Sequence, residues 1–296
     1  MSPKKDTPAT ATRLDSSSER VLGLLDLFTL EKPEWTVDML VDHQGLAKAT
    51  IYRYVKALVD TGFLAPAGSG AYSLGPRFIE MDRQIRIADP LLQIAPAVMQ
   101  ETSALFHGGQ LLSRFYSSRV LCIHETFDDD RIQSSFERGR PFSLFLGAPS
   151  RIILANFPVY QLQRLFLFHS EEIAEAKLGN NWAEFRDRMK AIRKTGYAVA
   201  SDIDKTLIGV SAPIFRGQDS ITASLCLVRV RKETSEQQIE ELGQIAIDAA
   251  ARISRHLQQR ELQQQSPEPT KRARKPKSED TAPKAKKRST RKSVDA

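Results

Sequence analysis

The stretch from Thr36 to Leu74 most constrains what this chain can fold into. Thr36 offers a helix cap, and Val37, Leu40 and Val41 follow on one face. Gly45 supplies a turn. A further helix over about 47–61 gathers Ile51, Val55 and Leu58 into a buried stripe, leaving Lys48, Tyr52, Arg53 and Lys56 on the opposite face, and Gly62 stops it. Segments 63–65 and 72–74 read as short strands joined by the hairpin 66–70. A helix precedes all of this. Ser16 to Glu19 fits a capping box, Val21, Leu24, Leu25 and Phe28 keep helical spacing, and Pro33 and Trp35 end it. Helix, helix, turn, helix and hairpin form the outline of a winged helix-turn-helix, which lays one helix in the major groove of double-stranded DNA.

Bulk charge does not carry that conclusion. The chain's formal net charge is +7, but residues 264–296 hold eleven Lys/Arg against four Asp/Glu, and everything before them is close to neutral. A length of 296 residues suits about two domains, and a 41% hydrophobic content supports real cores. The sequence has no apolar run of about 18 residues, and its first residues lack the apolar region of a secretory signal. The two cysteines, Cys122 and Cys226, lie far apart and suggest neither a disulfide framework nor a zinc site. A cytoplasmic protein with no membrane partner, metal or cofactor is expected.

The chain divides by composition. Residues 1–15 are polar and read as disordered. The winged head spans 16–75, a linker helix 76–89, and a second domain 90–262. Residues 263–296 read as a disordered Lys/Arg-rich tail, with almost no large apolar side chain to offset chain entropy. In the second domain, helices are expected over 91–106, 149–156, 160–168, 182–194 and 235–259, the last capped by Ser235. Strands are expected over 109–115, 120–127, 208–215 and 221–230. An antiparallel or mixed sheet covered by helices follows, an α+β fold.

With those residues in view, the chain resembles the IclR family of bacterial transcriptional regulators over about 16–260. The N-terminal resemblance lies in Ser18-Glu-Arg-Val-Leu, Leu46-Ala-Lys-Ala-Thr-Ile-Tyr-Arg and Tyr72-Ser-Leu-Gly. The C-terminal resemblance lies in Arg138-Gly-Arg-Pro, Ser150-Arg-Ile-Ile-Leu-Ala, Ile192-Arg-Lys-Thr-Gly-Tyr-Ala and Gly209-Val-Ser-Ala-Pro-Ile-Phe. The order and spacing of these pieces across two domains carry the match. It implies a homo-oligomer, a dimer or dimer of dimers, on a pseudo-palindromic operator. It also implies a GAF-like mixed α/β effector-binding domain, with aromatic or small organic acids as the common effectors. The chain departs from the family pattern at Ala49 (commonly Ser), Tyr52 (commonly His), Ser150-Arg151 (often Gly-Lys) and Ile203 or Asp204 (usually Glu nearby).

Candidate DNA contacts are Arg20, Lys48, Ala49, Thr50, Tyr52, Arg53 and Lys56. Arg53 can fork onto guanine O6 and N7, Thr50 can meet a base or phosphate, and Lys56, a turn further on, suits a phosphate. Arg20 either approaches the DNA backbone or forms a surface salt bridge. The small, uncharged wing tip 68–70 lacks the arginine that favours a narrow minor groove. The resemblance places the effector site at Leu146, Gly147, Ala148, Arg151, Asp202, Asp204, Gly209 and Cys226. Arg114 and Arg151 either hold a carboxylate or form ordinary salt bridges. Asp202 and Asp204 either bind a ligand hydroxyl or cap a turn. Cys226 reads first as a small core residue. Asp128-Asp-Asp lacks calcium-loop spacing, and neither a nucleophile elbow nor a phosphate loop occurs, so no enzyme is expected. Two other classes stay open: a nucleoid-type nonspecific DNA binder acting through the tail, and an enzyme built on the α+β domain.

Overall fold

The structure, a computed structural model, describes residues 16–117, 119–133, 137–217 and 220–265. Segment 1–15 and residues 266–296 of the tail expected to be disordered from 263 lie outside the described residues, while 263–265 prolong the last helix instead. The fold up to Gln258 is one compact unit. From Gln259 the chain counts as a second unit, whose described part continues the last helix to Gln265.

Helix α1 (Ser17–Gly23) opens with the expected capping box, the Ser16 side chain and Glu19 satisfying each other's backbone N–H groups. A 3-10 turn over Leu25–Leu27 follows. Strand β1 (Trp35–Thr36) leads directly into α2 (Val37–Gln44), with the Thr36 side chain accepting the Met39 N–H at 3.2 Å. Gly45, at φ 66°, turns the chain into α3 (Lys48–Asp60). Gly62 and Phe63 close α3 by donating to the carbonyls of Val59 and Leu58, the paired bonds of a Schellman motif. Strands β2 (Leu64–Gly68) and β3 (Ala71–Leu74) form the wing. Both run closer to the tip than the sequence pattern suggested. The reversal is confined to Ser69 and Gly70, and with Gly68 these make three successive residues at positive φ. β1 was not anticipated, because two residues are too few to show a period. It pairs with β3 to complete a three-stranded sheet.

Helix α4 (Arg77–Ala88) is the linker, and Asp89 caps α5 (Pro90–Thr102). α5 stops short of the expected residue 106. The Thr102 and Ser103 hydroxyls bond back to the carbonyls of Val98 and Met99, and Gly108 lies at φ 151°. Strands β4 (Gly109–Tyr116) and β5 (Arg119–Phe127), the short helix α6 (Asp130–Gln133) and strand β6 (Pro141–Phe142) come next. Helices α7 (Gly147–Ala155), α8 (Val159–Glu175) and α9 (Trp182–Thr195) follow. α8 outruns the expected 160–168: His169 leaves helical geometry, but Leu162 and Ile173 are both buried and the helix resumes. Strands β7 (Ala198–Ala200), β8 (Leu207–Arg216) and β9 (Ser220–Val230) precede α10 (Glu236–Gln265), which Ser235 and Gln238 cap reciprocally.

The six strands order as β6-β5-β4-β9-β8-β7, and every pairing is antiparallel, which settles the open choice between antiparallel and mixed. Period-two alternation gives the sheet two covered faces. Leu111, Cys226 and Val228 point to one core with residues of α7 to α9. Leu112, Leu225 and Leu227 point to the other, with residues of α5 and α10.

Candidate functional site

The first candidate surface is the outer face of α3. Ile51, Val55 and Leu58 are all 3% exposed or less, locking the helix into a core that includes Leu24, Phe28, Trp35 and Leu40. Tyr54 joins them, its hydroxyl 3.1 Å from Ser17 Oγ on α1. That anchoring fixes what faces outward. Lys48, Ala49, Tyr52, Arg53 and Lys56 are exposed, and Thr50 is half-buried. The cations are not equivalent. Lys48 pairs with Asp38 of α2 at 2.6 Å, and Lys56 with Asp60 at 3.0 Å, all four side chains well exposed. The latter pair raises the Lys56 pKa. Arg53 makes no ion pair among the described residues and lies 5.8 Å from the Tyr54 ring centre. Tyr52 is 59% exposed, a large aromatic with no core to fill. Arg20 is exposed on α1.

The second candidate is a crevice where the N-terminal end of α7 meets β8, β9 and the segment 201–204. Of the expected effector residues, it brings together Gly147, Ala148, Asp202, Asp204, Gly209 and Cys226. Its floor is apolar, and Leu111 and Cys226 sit directly opposite each other on β4 and β9. Burial pushes the Cys226 thiol up to about 12, so it serves as wall rather than nucleophile. Asp204 turns inward on its own loop, accepting from the Thr206 N–H and hydroxyl at 2.8 and 2.6 Å. Leu146 and Arg151 do not line the crevice. Leu146 is the residue before α7 and packs on the core. Arg151 extends toward the Ala176 and Val199 carbonyls and pairs with Asp202 at 2.6 Å. Arg114 lies elsewhere, forked onto the helix-capping Asp89. Among the described residues, no cluster of His, Cys, Asp and Glu could hold a metal.

Residues 17–67 match the IclR helix-turn-helix domain, and residues 88–255 match the C-terminal domain described as that of the bacterial transcriptional regulator IclR. The chain belongs to the IclR family. It is similar to KipR, an HTH-type transcriptional regulator of Bacillus subtilis, at 26% identity over 241 residues covering 80% of this chain and 94% of that protein. Its fold is that of an IclR transcriptional regulator from Alicyclobacillus acidocaldarius, with a TM-score of 0.67 at 19% identity over 81% of this chain and 98% of the other. It is also that of an IclR homologue from Microbacterium hydrocarbonoxydans solved with 4-hydroxybenzoate, with a TM-score of 0.63 at 19% identity over 82% of this chain and all of the other.

As an IclR-family member, the protein is a DNA-binding transcriptional regulator, not an enzyme. Two residues of the crevice lie outside the segments to which the family resemblance points, 144–151, 201–209 and the strand around Cys226. Leu111 and Ala200 enter it from β4 and β7. Alternation along β4 was the available signal for Leu111, since it sets Leu111 on one face and Leu112 on the other. Ala200 carried no signal, because a three-residue strand has too little period to read.

Proposed function

We propose that the protein binds a pseudo-palindromic operator as a homodimer, or a dimer of dimers, and that a small organic acid in the crevice controls that binding. The head 16–75 reads DNA, 76–89 links, and 90–262 senses the effector. The observation that carries the DNA reading is the outward face of α3: an exposed tyrosine and an arginine without an ion-pair partner among the described residues, on a helix whose opposite side is sunk in the core. Two such helices on successive major grooves stand about 34 Å apart. The dimer reading is supported by apolar side chains left exposed on α1 and α4, among them Leu22, Ile79 and Ile85, the last two 75% and 52% exposed. The effector reading is supported by the crevice and by the relative that holds 4-hydroxybenzoate. No described helix is long and apolar enough to cross a membrane. A regulator working on DNA would act in the cytoplasm, at the nucleoid.

Arg53→Ala tests the base-reading role. It should cost about 1–3 kcal/mol at the operator while leaving binding to scrambled DNA nearly unchanged. Competition gel shifts against both sequences measure the difference, and an unaltered preference rejects the role. The tail's eleven cations support a second contribution, a nonspecific hold on the DNA backbone.

A further inference from the structure

Asp202 is held at the crevice wall by two donors. Its Oδ1 accepts the Gly147 N–H at 3.0 Å, and its Oδ2 accepts from Arg151 Nη2 at 2.6 Å. A guanidinium and a backbone N–H converging on one carboxylate form the kind of donor set that captures a small organic acid. Arg151 is not a casual surface charge. Its side chain is one-fifth exposed, its Nε is buried with no acceptor, and its carbonyl contacts are long at 3.4 and 3.5 Å. Asp202 is the close partner that holds it.

The neighbouring residue completes the picture. Ile203 lies so close over Gly147 that a Cβ there would come within 2.5 Å of Ile203 Cδ1. Gly147 allows this because it has no side chain, and its φ of 81° suits glycine. With Ile203 in place, only about 20 Å³ of the crevice admits the centre of a water molecule. That is room for one or two waters and far less than an aromatic ring needs.

Resting on the reading of this crevice as the effector site, we propose that Asp202-Ile203 is an internal stand-in for the effector. The Asp202 carboxylate holds the position of the effector's carboxylate, and the Ile203 side chain holds that of its apolar body. A small apolar monocarboxylate binds by exchanging one carboxylate for another and driving the segment 201–204 outward. The exchange answers an electrostatic objection. Asp202 and Asp204 both line the crevice, and an anion added beside them would be repelled. After the exchange, Arg151 still faces one carboxylate and Asp202 has moved into water. The displaced segment joins β7 to β8, so binding moves backbone instead of filling a void. A tethered competitor acts at an effective concentration in the millimolar range, so it lowers the apparent affinity of any free acid.

Calorimetry on the full chain with benzoate and its neutral isostere benzamide tests this. Asp202→Ala should raise the preference for benzoate over benzamide by about tenfold, because Arg151 is left without its carboxylate. Asp202→Asn should shift it in the same direction, and benzoate should accelerate amide hydrogen exchange across 201–204 in the unmodified protein. The last two measurements decide the matter if Asp202→Ala does not fold. An unchanged benzoate-to-benzamide ratio, or added protection of 201–204, overturns the stand-in while leaving the effector site intact if benzamide still binds. Binding of neither probe to any of the proteins removes the effector reading and the stand-in together.

Discussion

On the proposed DNA reading, Lys48 and Lys56 each reach DNA only by leaving a carboxylate. The Lys48–Asp38 pair is exposed on both sides, so it is worth under about 1 kcal/mol. Asp38→Asn should therefore tighten binding to any DNA roughly two- to fivefold without changing sequence preference, measurable by fluorescence anisotropy on operator and scrambled duplexes. Arg53 has no such competitor among the described residues and, on the proposed DNA reading, carries preference instead. Ala49 and Tyr52, where the chain departs from the family's usual residues, share its exposed face and are the natural positions for an operator of its own. The two thiols make a contrasting case. Both are about 1% exposed and burial pushes both pKa values up. Neither should react with a thiol reagent at neutral pH until the protein is unfolded; rapid labelling of the native protein would contradict that burial.

At the scale of elements, the join between wing and linker depends on one glycine. A Cβ at Gly75 would lie 2.2 Å from the Gly62 carbonyl oxygen, and the Gly75 N–H donates to Phe63. Backbone cannot yield as a flexible side-chain end can. Gly75→Ala should destabilise the head by about 1–3 kcal/mol, seen as a lower Tm and weaker operator binding. The linker helix is also fastened to the C-terminal domain, because Asp82 on α4 accepts from Arg138 and pairs with Arg86. Arg138 holds the Asp82 carboxyl below its ordinary value, with Arg86 assisting against the opposing effect of burial. A depressed carboxyl pKa stabilises the fold fully above the unfolded value and loses that stabilisation as pH falls through the folded one. The α4 anchor should accordingly loosen in acid. Arg138→Gln should make that acid dependence shallower, only Arg86 then holding the carboxyl down, as read by proteolysis of the linker from about pH 6 down to about pH 2.

For the whole molecule, the proposed two-fold association would decide how well one head finds its site. Ile79 is three-quarters exposed on α4, so Ile79→Glu should yield monomers in analytical ultracentrifugation. It should also cost about 10²-fold or more in operator affinity through lost bivalency. Removing 264–296 tests a different contribution. The preferred site should be retained, while the dependence of affinity on salt becomes shallower because fewer counterions are released. Loss of all binding on that deletion would favour the nonspecific nucleoid reading instead.

Local pattern was enough for the reading head. The capping box at Ser16, the Gly45 turn, the Ile51/Val55/Leu58 stripe and the Gly62 stop are all encoded within a few residues of where they act, and helical periodicity exposes the opposite face automatically. The long strands and α9 were legible for the same reason, whereas β1, β6 and β7 were too short to show a period. The fate of several charged groups was not legible, because it depends on partners remote in the chain. Arg114 meets Asp89, Arg138 meets Asp82, and Arg151 meets Asp202 fifty-one residues away. Sequence alone therefore left Arg114 and Arg151 open between ligand and salt bridge. It determined that this chain builds a helix able to enter DNA. Only the tertiary structure decided which cations are already paired and what fills the crevice, because packing brings distant side chains within the few ångströms over which charge and contact act.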